Sequence, residues 1–297
     1  MPDNITVIGE NAFASSGLQS INLNKVTRIE YHAFYGANLQ SMYIPETVTY
    51  IGQAVFNGND SLTEITGDST YNPVKYKNTG LGSAYLICDP VIEQSGDTTY
   101  TLMSVVGGVS SFEMPSNIRK IGDYAFYVSN RLESISIPDF VTYIGKNAFY
   151  ACSSLTSVIL PFGTTELLDS CFGYCRQLKT IYVRKPDGTD DNPGRNDLGS
   201  IKTLGYGVFY SCETLGSLYF RDLESVGDSV FYRCVLLGDI TVENSIPPVI
   251  SAGSTYVFGN QDSKLSSYPS LTGIDVDVKS RFFFIPSGSA EAYQATK

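Results

Sequence analysis

Ile144-Gly145-Lys146-Asn147-Ala148-Phe149-Tyr150-Ala151-Cys152-Ser153-Ser154-Leu155-Thr156-Ser157-Val158-Ile159-Leu160-Pro161 decides the architecture. Written as I-G-x-x-A-F-x-x-C-x-x-L-x-x-V-x-L-P, the stretch returns with variations along most of the chain, and a fixed internal period is the mark of a stacked repeat. With the Phe of the A-F pair as position zero, the anchors are Phe13, Phe34, Phe56, Phe126, Phe149, Phe172, Phe209 and Phe231, with a weaker one at Phe258. Phe126, Phe149 and Phe172 follow one another at intervals of 23 residues. Five or six residues past the anchor stands Leu18, Leu39, Leu62, Leu132, Leu155, Leu178, Leu215 or Leu237. An aliphatic or Met residue comes three positions later, as in Met42, Ile135, Val158 and Ile181, and in most units an apolar residue follows two beyond that.

The spacing has a physical reading. In an extended I-x-I segment alternate side chains share a face, so the two aliphatics point inward and the residue between them points out. One unit of this size cannot enclose a core, whereas stacked units each cover the apolar edge of the next. Rungs of such a parallel stack lie about 5 Å apart. Gly9, Gly52, Gly122, Gly145, Gly205 and Gly227 recur four residues before the anchor, where a positive φ or a close approach between rungs is expected; Glu30 and Leu168 replace Gly in two units.

The L-x-x-I-x-I core fits the L-x-x-L-x-L pattern of leucine-rich repeats. Together with I-G-x-x-A-F, the following x-x-C and the terminal Pro of Pro45, Pro138 and Pro161, the chain resembles the BspA-like class of bacterial leucine-rich repeats, over eight units and nearly its whole length. It lacks the Asn or Cys that follows the last strand aliphatic in commoner eukaryotic repeats. The resemblance implies a curved right-handed solenoid with a parallel concave sheet, mostly β and irregular with short helical turns. It also implies an exported or cell-surface protein used for adhesion or binding rather than catalysis.

Composition agrees with a folded protein: 42% of the 297 residues are hydrophobic and 17% charged. A net charge of −10 disfavours nucleic acid or an anionic membrane as principal partner. No run of 18 apolar residues is present to span a bilayer, and no signal peptide is recognisable. Met1 to Gly9 aligns with Ile137 to Gly145, so the chain opens in mid-rung, and an upstream segment carrying an export signal or lipid anchor is expected. The organisation reads as one domain over 1–297: regular rungs at 1–66, an irregular hairpin insertion at 67–111, regular rungs at 112–183, an inserted loop at 184–198, rungs at 199–243, and irregular terminal rungs with a cap at 244–297. The hairpin is expected from Ser83–Cys88 and Thr98–Met103 about a turn at Gln94–Asp97. At the far end a strand, a Pro turn and a short helix from Ala290 to Ala295 are expected, with Ser289 as its N-cap.

Chemistry-bearing residues are few. Cys152, Cys175, Cys212 and Cys234 each stand three after an anchor, a place held elsewhere by Ser16, Ala37, Asn59 and Ser129. Such interchange marks a small packing position with a weak donor toward a neighbouring rung rather than a disulfide or zinc site. Asp187, Asp190, Asp191 and Asp197 fail the spacing of a calcium loop, and Arg184, Lys185 and Arg195 oppose a cation, so no metal and no cofactor is expected. His32 is the one histidine and is read as a surface residue; Glu64, Glu133 and Asp239 are scattered over distant rungs, which disfavours paired-carboxylate hydrolysis.

What remains is the outward strand position: Tyr43, Ser136, Ile159, Tyr182, Tyr219 and Thr241, with Ile159, Tyr182 and Tyr219 expected side by side. Tyrosine is enriched at interfaces, and the same residues would equally serve cross-strand packing. The expectation is a non-catalytic module that binds a protein ligand through this row and the inserted loops, with a surface glycan as the alternative ligand and a carboxylate hydrolase as the remote one.

Overall fold

The computed structural model describes residues 2, 4–62, 64–67, 74–78, 82–92, 94–95, 97–106, 108–187, 196–238, 240–243, 248–250, 257 and 283–284. It is a parallel-sheet β-solenoid of about 9 turns. Two compact units divide the chain: the first is Met1–Leu132 with Tyr143–Ser153, the second Glu133–Thr142 with Ser154–Lys297.

In the first unit the Ile five residues before each of the first three anchors forms one wall. Val7–Ile8, Arg28–Ile29 and Tyr50–Ile51 lie parallel, with Ile8, Ile29 and Ile51 in register and all buried. The L-x-x-I-x-I segment forms the opposite wall, where Ser41–Ile44 pairs with Glu64–Gly67 and Met42 meets Ile65. Between the walls the anchor rings stack: Phe13 on Phe34 at 5.4 Å, Phe34 on Phe56 at 5.7 Å, and Phe126 on Phe149 at 4.8 Å. The interruption supplies a long hairpin, Gly82–Ile92 antiparallel to Thr98–Val106, with Val74–Asn78 antiparallel on its outer side. Thr98–Val106 also pairs parallel with Ile118–Ile121, so the returning arm of the hairpin is itself a strand of the stack.

The second unit repeats the plan. Ser134–Ser136, Ser157–Leu160 and Thr180–Val183 run parallel with Ile135, Val158 and Ile181 in register. On the other wall Glu166–Leu167, Thr203–Leu204, Ser225–Val226 and Val249–Ile250 do the same. Phe209 stacks between Phe172 at 6.1 Å and Phe231 at 5.9 Å. Of the expected inserted loop at 184–198, residues 188–195 lie outside the described residues. Arg184 N–H still continues the ladder to Leu160 O, and Asn196–Asp197 returns as a short strand beside Leu218–Phe220. Asn196 is buried, its Nδ2 donates to Lys179 O and Ser217 O, and its Oδ1 accepts from Ile181 N–H, so one amide side chain sews the return strand to both neighbours. Phe283–Phe284 pairs with Ile240–Thr241, while the expected helix from Ala290 to Ala295, with its cap at Ser289, lies outside the described residues.

Among the described residues no helix occurs, and the expected short helical turns are something else. Around Phe13, Phe34, Phe126, Phe172 and Phe209, the N–H groups at positions −2, 0 and +2 donate to the next rung, as in Asn11 to Tyr31 O, Phe13 to Ala33 O and Ser15 to Tyr35 O at 3.1, 2.8 and 2.7 Å. Positions −2 and +2 hold a positive φ in rung after rung: 55° and 53° at Asn11 and Ser15, 56° at both His32 and Gly36, 60° and 58° at Tyr124 and Val128. Local bonds such as Ala12 N–H to Gly9 O and Ser16 N–H to Phe13 O place these residues third in type II turns, where φ is positive. A left-handed residue at every fourth place breaks any helix and turns alternate amides outward along the stack.

Val128 is the costly member of that set, because a β-branched side chain resists this region. Gly36 and Gly58 occupy the same place in other rungs. Val128→Gly relieves about 1–2 kcal/mol of steric cost against about 0.5–1 kcal/mol of extra chain entropy. A small net gain in stability is therefore expected in urea titration, and a loss above about 1 kcal/mol would contradict the reading.

At Gly52, Gly122, Gly145, Gly205 and Gly227 the recurrent Gly works by close approach and not by a positive φ, which none of them has. A Cβ on Gly227 would lie 2.6 Å from the carbonyl carbon of Gly205 in the preceding rung.

Candidate binding surface

In the repeat strands described above the inward aliphatic side chains are committed to the core, so recognition there has the outward positions and the turns. The structure brings the six outward candidates into three groups. Ser136, Ile159 and Tyr182 lie in register on adjacent strands, Tyr219 and Thr241 on another pair, and Tyr43 beside Thr66 in the first unit. Tyr182 and Tyr219 are not neighbours, because Asp197 takes the place beside Tyr219.

Exposure separates them further. Tyr43 is 50% exposed, whereas Tyr182 and Tyr219 are only 8% and 5% exposed. The Tyr219 phenol is hydrogen-bonded to Glu243 and Arg221, and burial followed by the Glu243 carboxylate pushes its pKa up. Near Ser136 the surface is crossed by Arg184. Its guanidinium donates to Ser136 Oγ at 2.7 Å, to Ile137 O at 3.1 Å and to Asp139 Oδ1 at 2.9 Å, reaching past the strand Ser157–Leu160. Ser136 remains exposed, Ile159 and Thr241 half-buried.

A second aromatic surface escaped the sequence reading. Position +1, just after the anchor, carries Tyr35, Tyr127, Tyr150, Tyr210 and Tyr232. In the first unit Tyr127 stacks on Tyr150 at 5.3 Å; in the second Tyr210 lies between Tyr174 at 5.0 Å and Tyr232 at 4.8 Å. All are half-buried. The recurrence of Tyr one residue after Phe was the available signal.

His32 is part of this turn face and not a free surface residue. Its ring stacks on Tyr31 at 3.8 Å and Tyr35 at 4.8 Å, with Tyr127 tilted at 5.4 Å and Tyr124 edge-on at 5.9 Å. Its Nε2 is buried with no hydrogen-bond partner among the described residues. Burial lowers its pKa to about 4. The tyrosine faces would attract an imidazolium by about 0.5–2 kcal/mol, but stripping an unpaired charge of water costs several, so the neutral ring wins.

The cysteines are donors in the stack. Cys152, Cys212 and Cys234 point Sγ at the anchor carbonyl of the preceding rung, Phe126, Phe172 and Phe209, at 3.1, 3.1 and 3.0 Å. Asn59 Nδ2 makes the same bond to Phe34 O at 2.7 Å, which explains the interchange at this position. The described cysteines are thiols rather than disulfides, and burial pushes Cys212 well above its usual pKa.

Among the described residues no group of three or more His, Cys, Asp or Glu is placed to hold a metal ion, and no helix is long and apolar enough to cross a membrane. Asp197 accepts from Gly199 N–H at 3.0 Å, while Asp190, Asp191 and Asp239 lie outside the described residues.

The BspA type leucine rich repeat region matches this sequence in 6 copies, over residues 1–79, 104–187 and 197–267. The chain belongs to the BspA-type leucine-rich repeat family. Solved structures agree with this BspA-type fold. A leucine rich cell surface protein from Faecalibacterium prausnitzii is 25% identical with a TM-score of 0.64, covering 82% of this chain and 59% of its own. This repeat chain thus spans 59% of the length of that protein. A leucine-rich repeat protein from Eubacterium ventriosum is 20% identical with a TM-score of 0.59, covering 98% of this chain and 74% of its own. The pneumococcal vaccine antigen PcpA is 15% identical with a TM-score of 0.52, covering 99% and 75%. Among curated proteins none matches. The repeat region is thus a binding-type scaffold, of a family whose members are typically non-catalytic.

Proposed function

We propose that this repeat region is the non-catalytic recognition module of an exported bacterial surface protein, and that it binds a protein ligand through the outward row of its strands. The supporting observation is the division of labour along each strand: inward aliphatics are identical in role, while the outward residues Tyr43, Ser136, Ile159 and Thr241 differ in chemistry and keep solvent contact. Surface placement rests on family membership and on the F. prausnitzii cell surface protein.

Tyr182 and Tyr219 lie in register beside Ile159 and Thr241 but are almost wholly buried, and are assigned to the scaffold around the row. The test is binding to an array of extracellular-matrix proteins, run beside a glycan array. For a matrix-protein hit, Tyr43→Ala, Ile159→Lys or Thr241→Lys is expected to weaken binding tenfold or more, about 1.4 kcal/mol, with melting unchanged. A hit on the glycan array alone, or a matrix hit that ignores all three substitutions, would overturn the assignment.

A further inference from the structure

The box around His32 sits where the first unit's repetition is interrupted. Tyr31, His32 and Tyr35 belong to the rung of Phe34, Tyr124 and Tyr127 to the rung of Phe126, and residues 67–111 intervene in sequence. The tyrosines meet directly, Tyr31 on Tyr124 at 5.3 Å and Tyr35 on Tyr127 at 5.7 Å. Between these rungs the turn of Phe56 offers Ala54 and Asn57 in place of large aromatics. Asn57 Nδ2 donates to Tyr124 O and Tyr127 O at 3.0 Å each, and its Oδ1 accepts from Ser104 of the returning hairpin strand. A single cluster therefore joins the rungs before the interruption, the rung after it, and the hairpin.

We propose that His32 makes this cluster an acid-sensitive clamp, closed while the imidazole is neutral and opened when it takes up a proton. The neutral ring fills the space between four phenol rings without a partner for Nε2. An imidazolium there would keep a buried Nε2–H donor with no acceptor, and with no carboxylate paired to it among the described contacts it would leave the box for water. The groups around it do not supply one. Tyr31, Tyr35 and Tyr127 stay protonated, since burial raises the pKa of each. Glu10 acts on Tyr31, Glu30 is paired with Arg28 at 2.9 Å, and Asp123 accepts from Lys146 N–H at 2.8 Å. From the rung of Phe56 only Gln53, Ala54 and Asn57 are near in sequence to the contact, and none titrates.

The sign follows from linkage. A base whose folded pKa is depressed below 6.5 stabilises the fold fully above pH 6.5, and that contribution fades as pH falls toward about 4.

Because the chain has one histidine, a single imidazole NMR resonance reports the titration without assignment. Its midpoint is expected near 4 in the folded protein and near 6.5 in urea; a folded midpoint at or above about 6 would remove the basis of the clamp. Hydrogen exchange, corrected for intrinsic rates, tests the opening. Amides of 31–36, 53–57 and 122–128 are expected to lose protection tenfold or more between pH 7 and 4.5, with the rungs of the second unit unchanged. His32→Asn should abolish that difference, since Asn11 and Asn147 hold the same turn position with a positive φ. If that variant folds poorly, His32→Tyr takes over the test, because Tyr124 already holds the equivalent place with a positive φ. Equal protection at both pH values in the wild type, or an undiminished acid response in the variants, would overturn the proposal.

Discussion

Phe126→Ala is expected to destabilise the first unit by about 3–5 kcal/mol. The Phe126 ring is fully buried, with Phe149 stacked at 4.8 Å and 12° on one side and Phe112 edge-on at 5.1 Å on the other. Removing it empties the space between two rungs, and the rungs have little freedom to collapse. Their spacing is fixed by Phe126 N–H to Ala148 O, Tyr124 N–H to Lys146 O and Val128 N–H to Tyr150 O. The hole therefore persists, and the cost sits toward the upper end of the range. Each rung of a solenoid touches only its neighbours, so the loss is local in origin but breaks the column that makes unfolding cooperative. Against a typical stability of about 5–15 kcal/mol, the urea midpoint should fall sharply and the transition broaden or split. Phe13→Ala, at a ring only partly buried, provides the comparison and should cost much less. A Phe126→Ala protein within about 1 kcal/mol of the wild type would mean that the ring column does not carry the core.

That column was legible in the sequence because stacking forces it to repeat: a residue that meets its own counterpart in the next rung must keep its size. The same logic made the inward aliphatics readable. The outward positions obey no such rule, and here sequence and structure diverge. Tyr43 and Tyr219 occupy the same repeat position, yet one is half exposed and the other buried. The difference lies in neighbours that no period announces, Arg221 and Glu243 around the Tyr219 phenol, and Asp197 arriving beside it from a loop. A return strand of two residues, Asn196–Asp197, leaves no alternation to detect. The left-handed residues were hidden for another reason. Position +2 is filled by Ser15, Gly36, Gly58, Val128, Ala151, Tyr174, Ser211 and Arg233, a set with no common chemistry, because the conformation is imposed by bonds to the next rung. The tyrosines at position +1 recur one residue after the Phe anchor and are legible in the sequence, but they stand on turns and not on the strands whose alternation marks the outward row.

The recurrent glycine gives the sharpest test of the close-approach reading, because one substitution at equivalent places should have opposite results. In Gly227→Ala the new Cβ would stand 2.6 Å from both the carbon and the oxygen of the Gly205 carbonyl and 2.8 Å from Tyr206 N. These are backbone atoms, so no side chain can swing aside. Relief requires the rungs themselves to separate, against the bonds Gly227 N–H to Leu204 O at 2.7 Å and Ser225 N–H to Lys202 O at 3.0 Å. Overpacking of this kind costs about 1–3 kcal/mol and sometimes more, and the rigidity of both partners favours the upper end. Gly9 holds the same repeat position, but an added Cβ meets nothing within 4 Å and its φ is not positive. There Gly9→Ala should be neutral or stabilise by about 0.4–1 kcal/mol, by narrowing the conformations of the unfolded chain. Thermal melts of the two variants decide the matter. If Gly9→Ala is as damaging as Gly227→Ala, the position is set by backbone conformation and not by the nearness of the preceding rung.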